Sequence, residues 1–363
     1  MKFETVVIDE IIQNTPDAVS LRFALPADHP LRHYEPGQYL TLKYNFNGED
    51  FLRCYSFSTL PNDHMIGITV KKTPHGFISR EIVDKFRPGM GVVVGEIHGK
   101  FKIPNLGSAR RTHYFFAAGS GITPVYSMIR RVLEDEPMSR VVLLYSNKSR
   151  QDIIFFEQLQ ELEQRYEGQF SVFHTLTGNR KFLGFRMRPK TEEGWNGWIG
   201  RVDAPMIERL MQAVKDTNKN KEYYICGPAS YIQKVEQVLT TSGAESGHIH
   251  KEYFTIAPAQ GQGVRTNHSA DYSESILKVT LRGKTQTTEL KAGERILDGL
   301  IRQGFDPPYS CSSGACASCI AKVNSGKVQM DSDLALDKSE IDDGYILTCQ
   351  ARCTTREVEI EYP

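Results

Sequence analysis

The sequence predicts a multidomain chain: an antiparallel β-barrel, then a doubly wound α/β domain on a parallel sheet, then a small α+β domain. Three observations predict it. Residues 2 to about 105 are short β-branched or aromatic runs with little helical spacing. From about residue 110, strand and helix patterns alternate, which calls for crossover helices and a parallel sheet. Residues 257–274 are rich in Pro, Ala, Gln, Gly, Ser and Asn without periodicity, and strands resume after them. With 363 residues the chain is too long for one ordinary core. The expected divisions are a barrel over 1–106, an α/β domain over 107–256, a linker over 257–274 and an α+β domain over 275–363.

In the barrel, strands are expected over residues 3–12, 19–25, 39–44, 51–55, 66–71 and 91–95, separated by Pro36-Gly37, Asn47-Gly48, Pro61-Asn62 and Pro88-Gly89 turns. Alternation along the fourth strand puts Arg53 and Tyr55 on one face, a cation beside an aromatic ring. Such a pair suits a phosphate next to a flat heterocycle, although an ordinary strand with a rim arginine reads the same way. Gly76-Phe77-Ile78-Ser79 opens a helical run with apolar Ile78, Ile82 and Phe86. A glycine and a hydroxyl at a helix N-terminus make an anion site.

In the α/β domain, the buried-type strand 113–118 runs into Gly119-Ser120-Gly121-Ile122-Thr123-Pro124. A glycine-rich strand-to-helix turn is where a parallel sheet binds a pyrophosphate. Thr123 is expected to cap the helix, with Pro124 as its first residue. Strands are expected over 141–145, 170–176, 222–226 and 249–254, with helical stripes at Phe156–Tyr166, Met206–Val214 and Ile232–Leu239 between them. The strand 222–226 ends in Cys226-Gly227-Pro228. In the last domain, strands are expected over 276–281, 285–289, 320–323 and 357–362, with a helix over 295–302.

That last domain carries the most specific signal in the chain. Cys311, Cys316 and Cys319 stand in C-x4-C-x2-C spacing, and a solitary Cys349 follows. This is the plant-type ligand spacing of a [2Fe–2S] cluster. The Ser, Gly and Ala filler lets the loop curl and aim backbone N–H groups at sulfur. A structural zinc site is the competing reading, but zinc knuckles pair their cysteines in short C-x2-C units. The remaining Cys54, Cys226 and Cys353 form no disulfide framework.

Composition narrows the function. Charge is balanced, 44 basic against 44 acidic residues, so nothing indicates a nucleic-acid surface. The N-terminus reads as no signal peptide and no apolar run reaches membrane-span length, so a soluble cytoplasmic protein is expected.

Taken together, the motifs resemble a known family. Arg53, Tyr55 and Ser56 resemble the R-x-Y-S flavin motif of ferredoxin-NADP reductases, and Gly76 and Ser79 resemble their G-x-x-S. Gly119, Gly121 and Pro124 resemble their nicotinamide-nucleotide loop, Cys226-Gly227-Pro228 their C-G-P motif, and Glu252 with Phe254 their acidic-x-aromatic end. The C-terminal domain resembles a plant-type ferredoxin, an α+β (β-grasp) fold. The order flavin, nicotinamide, ferredoxin is similar to that of reductase components of multicomponent oxygenases, such as those of phenylacetyl-CoA epoxidase and 3-ketosteroid 9α-hydroxylase.

The resemblance implies FAD, held by Arg53, Gly76 and Ser79 at the pyrophosphate and by Tyr55 and Ser56 at the ring, with Lys71 and Phe77 beside them. It implies a nicotinamide nucleotide on Gly119, Ser120, Gly121, Thr123, Pro124, Cys226, Gly227, Pro228 and Phe254. Ser56, Cys226 and Glu252 would serve the reaction, although Cys226 also reads as a small buried hydrophobe and Glu252 as a strand-end charge. Ser146, Lys148 and Arg150 follow the second strand where NAD-specific sheets place an acid, and basic groups there suit a 2′-phosphate. NADPH is therefore expected over NADH, with Asp152 the residue that argues against it. A flavin between a two-electron donor and a one-electron cluster gives the order NAD(P)H, FAD, [2Fe–2S], external metalloprotein, most simply a terminal oxygenase. A desaturase, a cytochrome or another non-oxygenase acceptor is the alternative, and a redox sensor is a third reading.

Overall fold

A computed structural model describes residues 3–73, 76–104, 107, 110–178, 181–182, 185–186, 194–254, 274–309, 311, 314–333 and 335–363. The expected linker lies outside these residues except for Glu274. Two compact units result, the larger from residues 4–51 and 55–252, the smaller mainly from residues 253–363.

The larger unit opens with β1 (Glu4–Val7), β2 (Glu10–Thr15), β3 (Ala18–Phe23), β4 (Tyr39–Phe46), β5 (Glu49–Ser56, of which Leu52–Cys54 group with the smaller unit), β6 (Ile66–Lys71), α1 (Phe77–Lys85) and β7 (Gly91–His98). One sheet runs β1-β7-β4-β5 and the other β2-β3-β6. Their inner faces share one core, which includes Val6, Ile8, Leu21, Phe23, Leu40, Phe57, Ile68 and Val94. The single strand expected over 3–12 is two strands. β1 pairs with β7 and β2 with β3, so the chain changes sheets at Ile8-Asp9. The Asp9 carboxylate caps the corner by accepting from the Ala24 N–H at 2.7 Å.

Next come β8 (Thr112–Ala118), α2 (Ile122–Asp135), β9 (Arg140–Asn147), α3 (Phe156–Arg165), β10 (Phe170–Leu176), a short β11 (Lys181–Phe182) and β12 (Phe185–Arg186) pair, β13 (Trp198–Ile199), α4 (Ala204–Val214), β14 (Lys221–Gly227), α5 (Ala229–Thr241) and β15 (Ile249–Tyr253). The sheet order is β13-β10-β9-β8-β14-β15, with parallel pairing from β13 to β14. The central strands β8 and β9 are buried along almost their whole length, as a parallel sheet covered by helices requires. α2 begins one residue before the expected cap: Gly121 holds the N-cap position, and Thr123 lies inside the first turn, its hydroxyl donating to the Ser120 carbonyl at 3.0 Å. The glycine turn continues directly into helix, so no capping side chain is needed.

The smaller unit contains β16 (Ser275–Leu281), β17 (Lys284–Leu290), α6 (Ile296–Arg302), β18 (Ile320–Ser325), β19 (Val328–Met330), α7 (Lys338–Asp342), β20 (Tyr345–Leu347), β21 (Ala351–Cys353) and β22 (Glu357–Glu361). Its mixed sheet runs β17-β16-β22-β18-β20. α7 was not expected, yet Asp337-Lys338-Ser339-Glu340 forms a capping box, a signal that was present in the sequence.

Candidate active site

Parallel register brings three loops to one edge of the sheet. Ala118 pairs with Ser146 and Ala117 with Cys226, so the loops after β8, β9 and β14 emerge side by side. Gly119 has φ +56, and its carbonyl accepts from the Tyr145 hydroxyl at 2.9 Å. Gly121 must be glycine: a Cβ there would lie 2.2 Å from the Cys226 carbonyl oxygen. The Gly119–Pro124 turn and the Cys226-Gly227-Pro228 turn are therefore packed backbone against backbone, leaving amides of both turns at the strand ends. Pro228 occupies the N-cap position of α5.

Cys226 is fully buried, and burial, reinforced by nearby Glu252, pushes its thiol well above the ordinary value. It is a neutral group here, not a thiolate nucleophile. Glu252 is 9% exposed, and its Oε2 has no hydrogen-bond partner among the described residues. Burial pushes its carboxyl up to about 8. A buried carboxyl with a free oxygen holds a proton at neutral pH and can hand it on. Phe254 follows the end of β15 and is half-buried.

Ser146, near the end of β9, is buried, while Lys148 and Arg150 after it are exposed, and Arg150 lies over the Phe156 ring at 5.3 Å. Asp152 is already engaged: it accepts from the Ser149 hydroxyl at 2.7 Å and pairs with Lys71 at 3.7 Å. Asn147 is a further candidate that none of the motifs singles out. It is buried beside the Tyr145 hydroxyl, at the end of β9. Its strand-end position at the mouth of the nucleotide edge was the available signal.

On the barrel, Ser56 closes β5 and is buried, Tyr55 packs at the margin of the core, and Arg53 is exposed with its guanidinium donating to the Leu52 carbonyl at 2.7 Å. Gly76 sits at the N-cap position of α1, where a Cβ would fall 1.9 Å from the Thr73 Oγ1. The Ser79 hydroxyl donates to the Gly76 carbonyl at 3.0 Å and accepts from the Thr73 N–H at 3.1 Å. This serine fixes the turn, and Thr73, absent from the expected set, completes it. Phe77 is exposed, with its ring 4.4 Å from that of Phe46.

In the smaller unit the four cysteines of the motif converge. The Ala315 N–H donates to Cys311 Sγ at 3.3 Å, and the Cys311 N–H to Cys316 Sγ at 3.5 Å. The Cys316 thiol donates to the Ser318 hydroxyl at 3.3 Å, and the Gln350 amide to Cys349 Sγ at 3.5 Å. Gly314 and Ala317 take positive φ values of +76 and +53, which curls the loop. The adjoining Ser310, Ser312 and Ser313 lie outside the described residues. Cys311 lies beside Cys316 and Cys319 beside Cys349, and the Cys54 thiol also lies beside Cys316. No three of the described His, Cys, Asp or Glu residues surround a point where one metal ion would sit. Two adjacent thiol pairs with amides aimed at sulfur fit a two-iron cluster better than one tetrahedral zinc. Cys353 stands apart, in the core with Leu277, Val279 and Ile360, whereas Cys319 and Cys349 belong to the core with Leu297, Leu336 and Leu347.

Comparison with known proteins agrees with this geometry. Family models match for an oxidoreductase FAD-binding domain over residues 5–103, an oxidoreductase NAD-binding domain over 115–237 and a 2Fe-2S iron-sulfur cluster binding domain over 279–354. A component of 1,2-phenylacetyl-CoA epoxidase from Escherichia coli K12 is 33% identical, over 99% of this chain and 98% of that one. The ferredoxin reductase component of 3-ketosteroid-9-alpha-monooxygenase from Mycolicibacterium smegmatis is 29% identical, over 98% and 96%. Phthalate dioxygenase reductase, a solved modular structure, superposes with a TM-score of 0.60 at 21% identity, over 99% and 98%.

Proposed function

The chain belongs to the family that includes this 1,2-phenylacetyl-CoA epoxidase component and the ferredoxin reductase component of 3-ketosteroid-9-alpha-monooxygenase, and from that premise we propose that it reduces a terminal oxygenase with electrons from NADPH. The chain is an NAD(P)H oxidoreductase of the iron-sulfur flavoprotein type. The observation that carries the proposal is the coexistence of two built sites, the glycine-turn edge of the sheet and the paired thiols of the C-terminal unit. When bound, the flavin takes a hydride from the reduced nicotinamide and releases its electrons singly, and a [2Fe–2S] cluster accepts one at a time.

The chain's own residues supply the rest. Tyr55 and Ser56 hold the flavin ring, and Arg53, Gly76 and Ser79 flank its pyrophosphate. The turns at Gly119–Pro124 and Cys226–Pro228 receive the nucleotide with backbone amides. Cys226 fills the pocket as a small neutral group. Glu252 keeps a proton beside it. Cys311, Cys316, Cys319 and Cys349 would hold the cluster, which would supply the one-electron exit. Lys148 and Arg150 face a 2′-phosphate as exposed cations, while Asp152 is diverted by Lys71 and Ser149. The expected result is NAD(P)H-dependent reduction of ferricyanide and cytochrome c, with kcat/KM at least tenfold higher for NADPH. A clear preference for NADH removes the coenzyme assignment. Absence of turnover with either coenzyme in the flavin-loaded protein removes the enzymatic reading.

Glu252 gives a pH test. Its carboxyl is neutral below about 8 and ionises above. The native state thus keeps a proton that the unfolded chain releases near the ordinary carboxylate value. Stability linked to this group is complete below that ordinary value and is lost as pH rises toward 8. Glu252→Gln, a neutral isostere, flattens the loss of melting temperature between about pH 4.5 and 8. It also lowers the rate of flavin reduction about 10²-fold if Glu252 supplies a proton. An unchanged rate with a flattened melting profile assigns Glu252 to structure alone.

A further inference from the structure

We infer that the Asp63–Arg130 ion pair is a positioning device that sets the nucleotide loop against the flavin barrel. The inference rests on the electron-transfer reading above. Asp63 lies in the barrel loop after Leu60, and Arg130 lies on α2, the helix that the glycine turn opens. The pair is bidentate, with Arg130 Nη1 and Nη2 donating to the two carboxylate oxygens at 2.7 and 2.8 Å. Its side chains are 22% and 24% exposed.

Both ends are fixed more firmly than a surface contact requires. The Asp63 carboxylate also accepts from the Leu60 N–H at 2.9 Å. The loop that carries it is clamped by a single guanidinium: Arg32 donates to the carbonyls of Pro61, Asp63 and His64 at 2.9, 2.7 and 2.7 Å, and to that of Leu25 at 2.9 Å. On the other side, Arg130 stands seven residues after Thr123, two turns along the same face of one helix and about 10 Å away. A helix transmits such an anchor rigidly to the Ile122-Thr123-Pro124 turn. Nearby, a Cβ on Gly37 would come within 3.0 Å of the Met128 Sδ, so backbone and helix already touch at this seam.

Energy alone does not explain the pair. A partly exposed ion pair contributes little net stability, because desolvation offsets most of the attraction. What a bidentate fork supplies is a defined distance and orientation. Hydride transfer depends on that quantity: reacting atoms must approach to about 3–3.5 Å, and a misplacement of about 1 Å costs roughly 10²-fold in rate.

The test compares Arg130→Lys, which keeps the charge but loses the fork, with Asp63→Asn, which keeps the shape. Flavin reduction by NADPH and by 4-deuterated NADPH is followed in single turnovers of the full chain. Both variants are expected to retain flavin and an NADPH KM within about threefold. Their limiting rate of flavin reduction should fall about tenfold or more, with the isotope effect undiminished, because the slowed step is hydride transfer itself. In flavin-free protein, amide exchange over residues 61–64 and the first turn of α2 should rise in both variants. A limiting rate within twofold of the parent, or a loss confined to KM or flavin retention, overturns the inference. A parent protein whose bound flavin NADPH does not reduce overturns the functional reading instead.

Discussion

Cys349→Ser is expected to bleach the visible cluster spectrum and abolish reduction of a protein acceptor, while Cys353→Ser leaves both intact. The two residues are four apart and both buried, so burial does not separate them. Their surroundings do. Cys349 meets Cys319 and receives a hydrogen bond from Gln350 at 3.5 Å. Cys353 lies on β21 opposite Val328, packed in the apolar core of the sheet. Serine at 349 would remove one of the four expected iron ligands, whereas serine at 353 keeps a small polar group beside Ser275 and costs at most about 1–3 kcal/mol. Absorption spectra and iron content decide it. Ferricyanide turnover should survive in Cys349→Ser, because that oxidant can take electrons from flavin. The reverse pattern, bleaching in Cys353→Ser alone, refutes the ligand assignment.

Glu136→Ala is expected to destabilise the larger unit by about 3–5 kcal/mol, the cost of breaking a buried ion pair. The Glu136 carboxylate accepts from Arg111 Nε at 3.2 Å, from the Ser139 hydroxyl at 2.8 Å and from the Gly107 N–H at 3.3 Å, and sits 2.9 Å from His113 Nε2. Both Glu136 and His113 side chains have no exposure, and Arg111 has 10%. Burial alone would raise this carboxyl, but donation from His113, Arg111 and Ser139 outweighs it and holds the group at about 2. The sign follows. Its stabilising contribution is complete above the ordinary carboxylate value near 4.5 and is lost as pH falls toward 2. A lowering of about two and a half units corresponds to roughly 3 kcal/mol, consistent with the mutational range. Melting curves from pH 3 to 7 should show the parent losing stability at the acid end and Glu136→Ala losing little more there. A substitution cost below about 1 kcal/mol would mean that water replaces the carboxylate.

Much of this chain was legible before any coordinates. β10 falls on the expected residues 170–176, and β6 on 66–71. Such runs are apolar or β-branched and need only their own side chains to declare themselves. The cysteine spacing carried the cluster, because ligand chemistry is local: a C-x4-C-x2-C loop needs small residues and mobile backbone, and both are written in sequence order. Gly121 was legible as part of a turn, but not the reason for it, which is the Cys226 carbonyl more than a hundred residues away.

What the tertiary structure alone decided depends on long-range proximity. The change of sheet at Ile8-Asp9 follows from which strands are available as partners, not from β propensity, which is continuous there. Likewise, Glu252 and Asp152 are both acids at strand or loop ends in the sequence. Burial leaves the first with an unpartnered oxygen and a retained proton, and the nearby Lys71 and Ser149 occupy the second. A carboxylate's chemistry is set by the dielectric and the donors around it, and these come from elements distant in the chain. The sequence by itself determined the three modules and the ligand spacing because those are properties of contiguous residues. Only the folded arrangement decided how Asp63 is clamped and where Arg130 meets it, because a bidentate pair exists only when two separate backbones hold its ends in register.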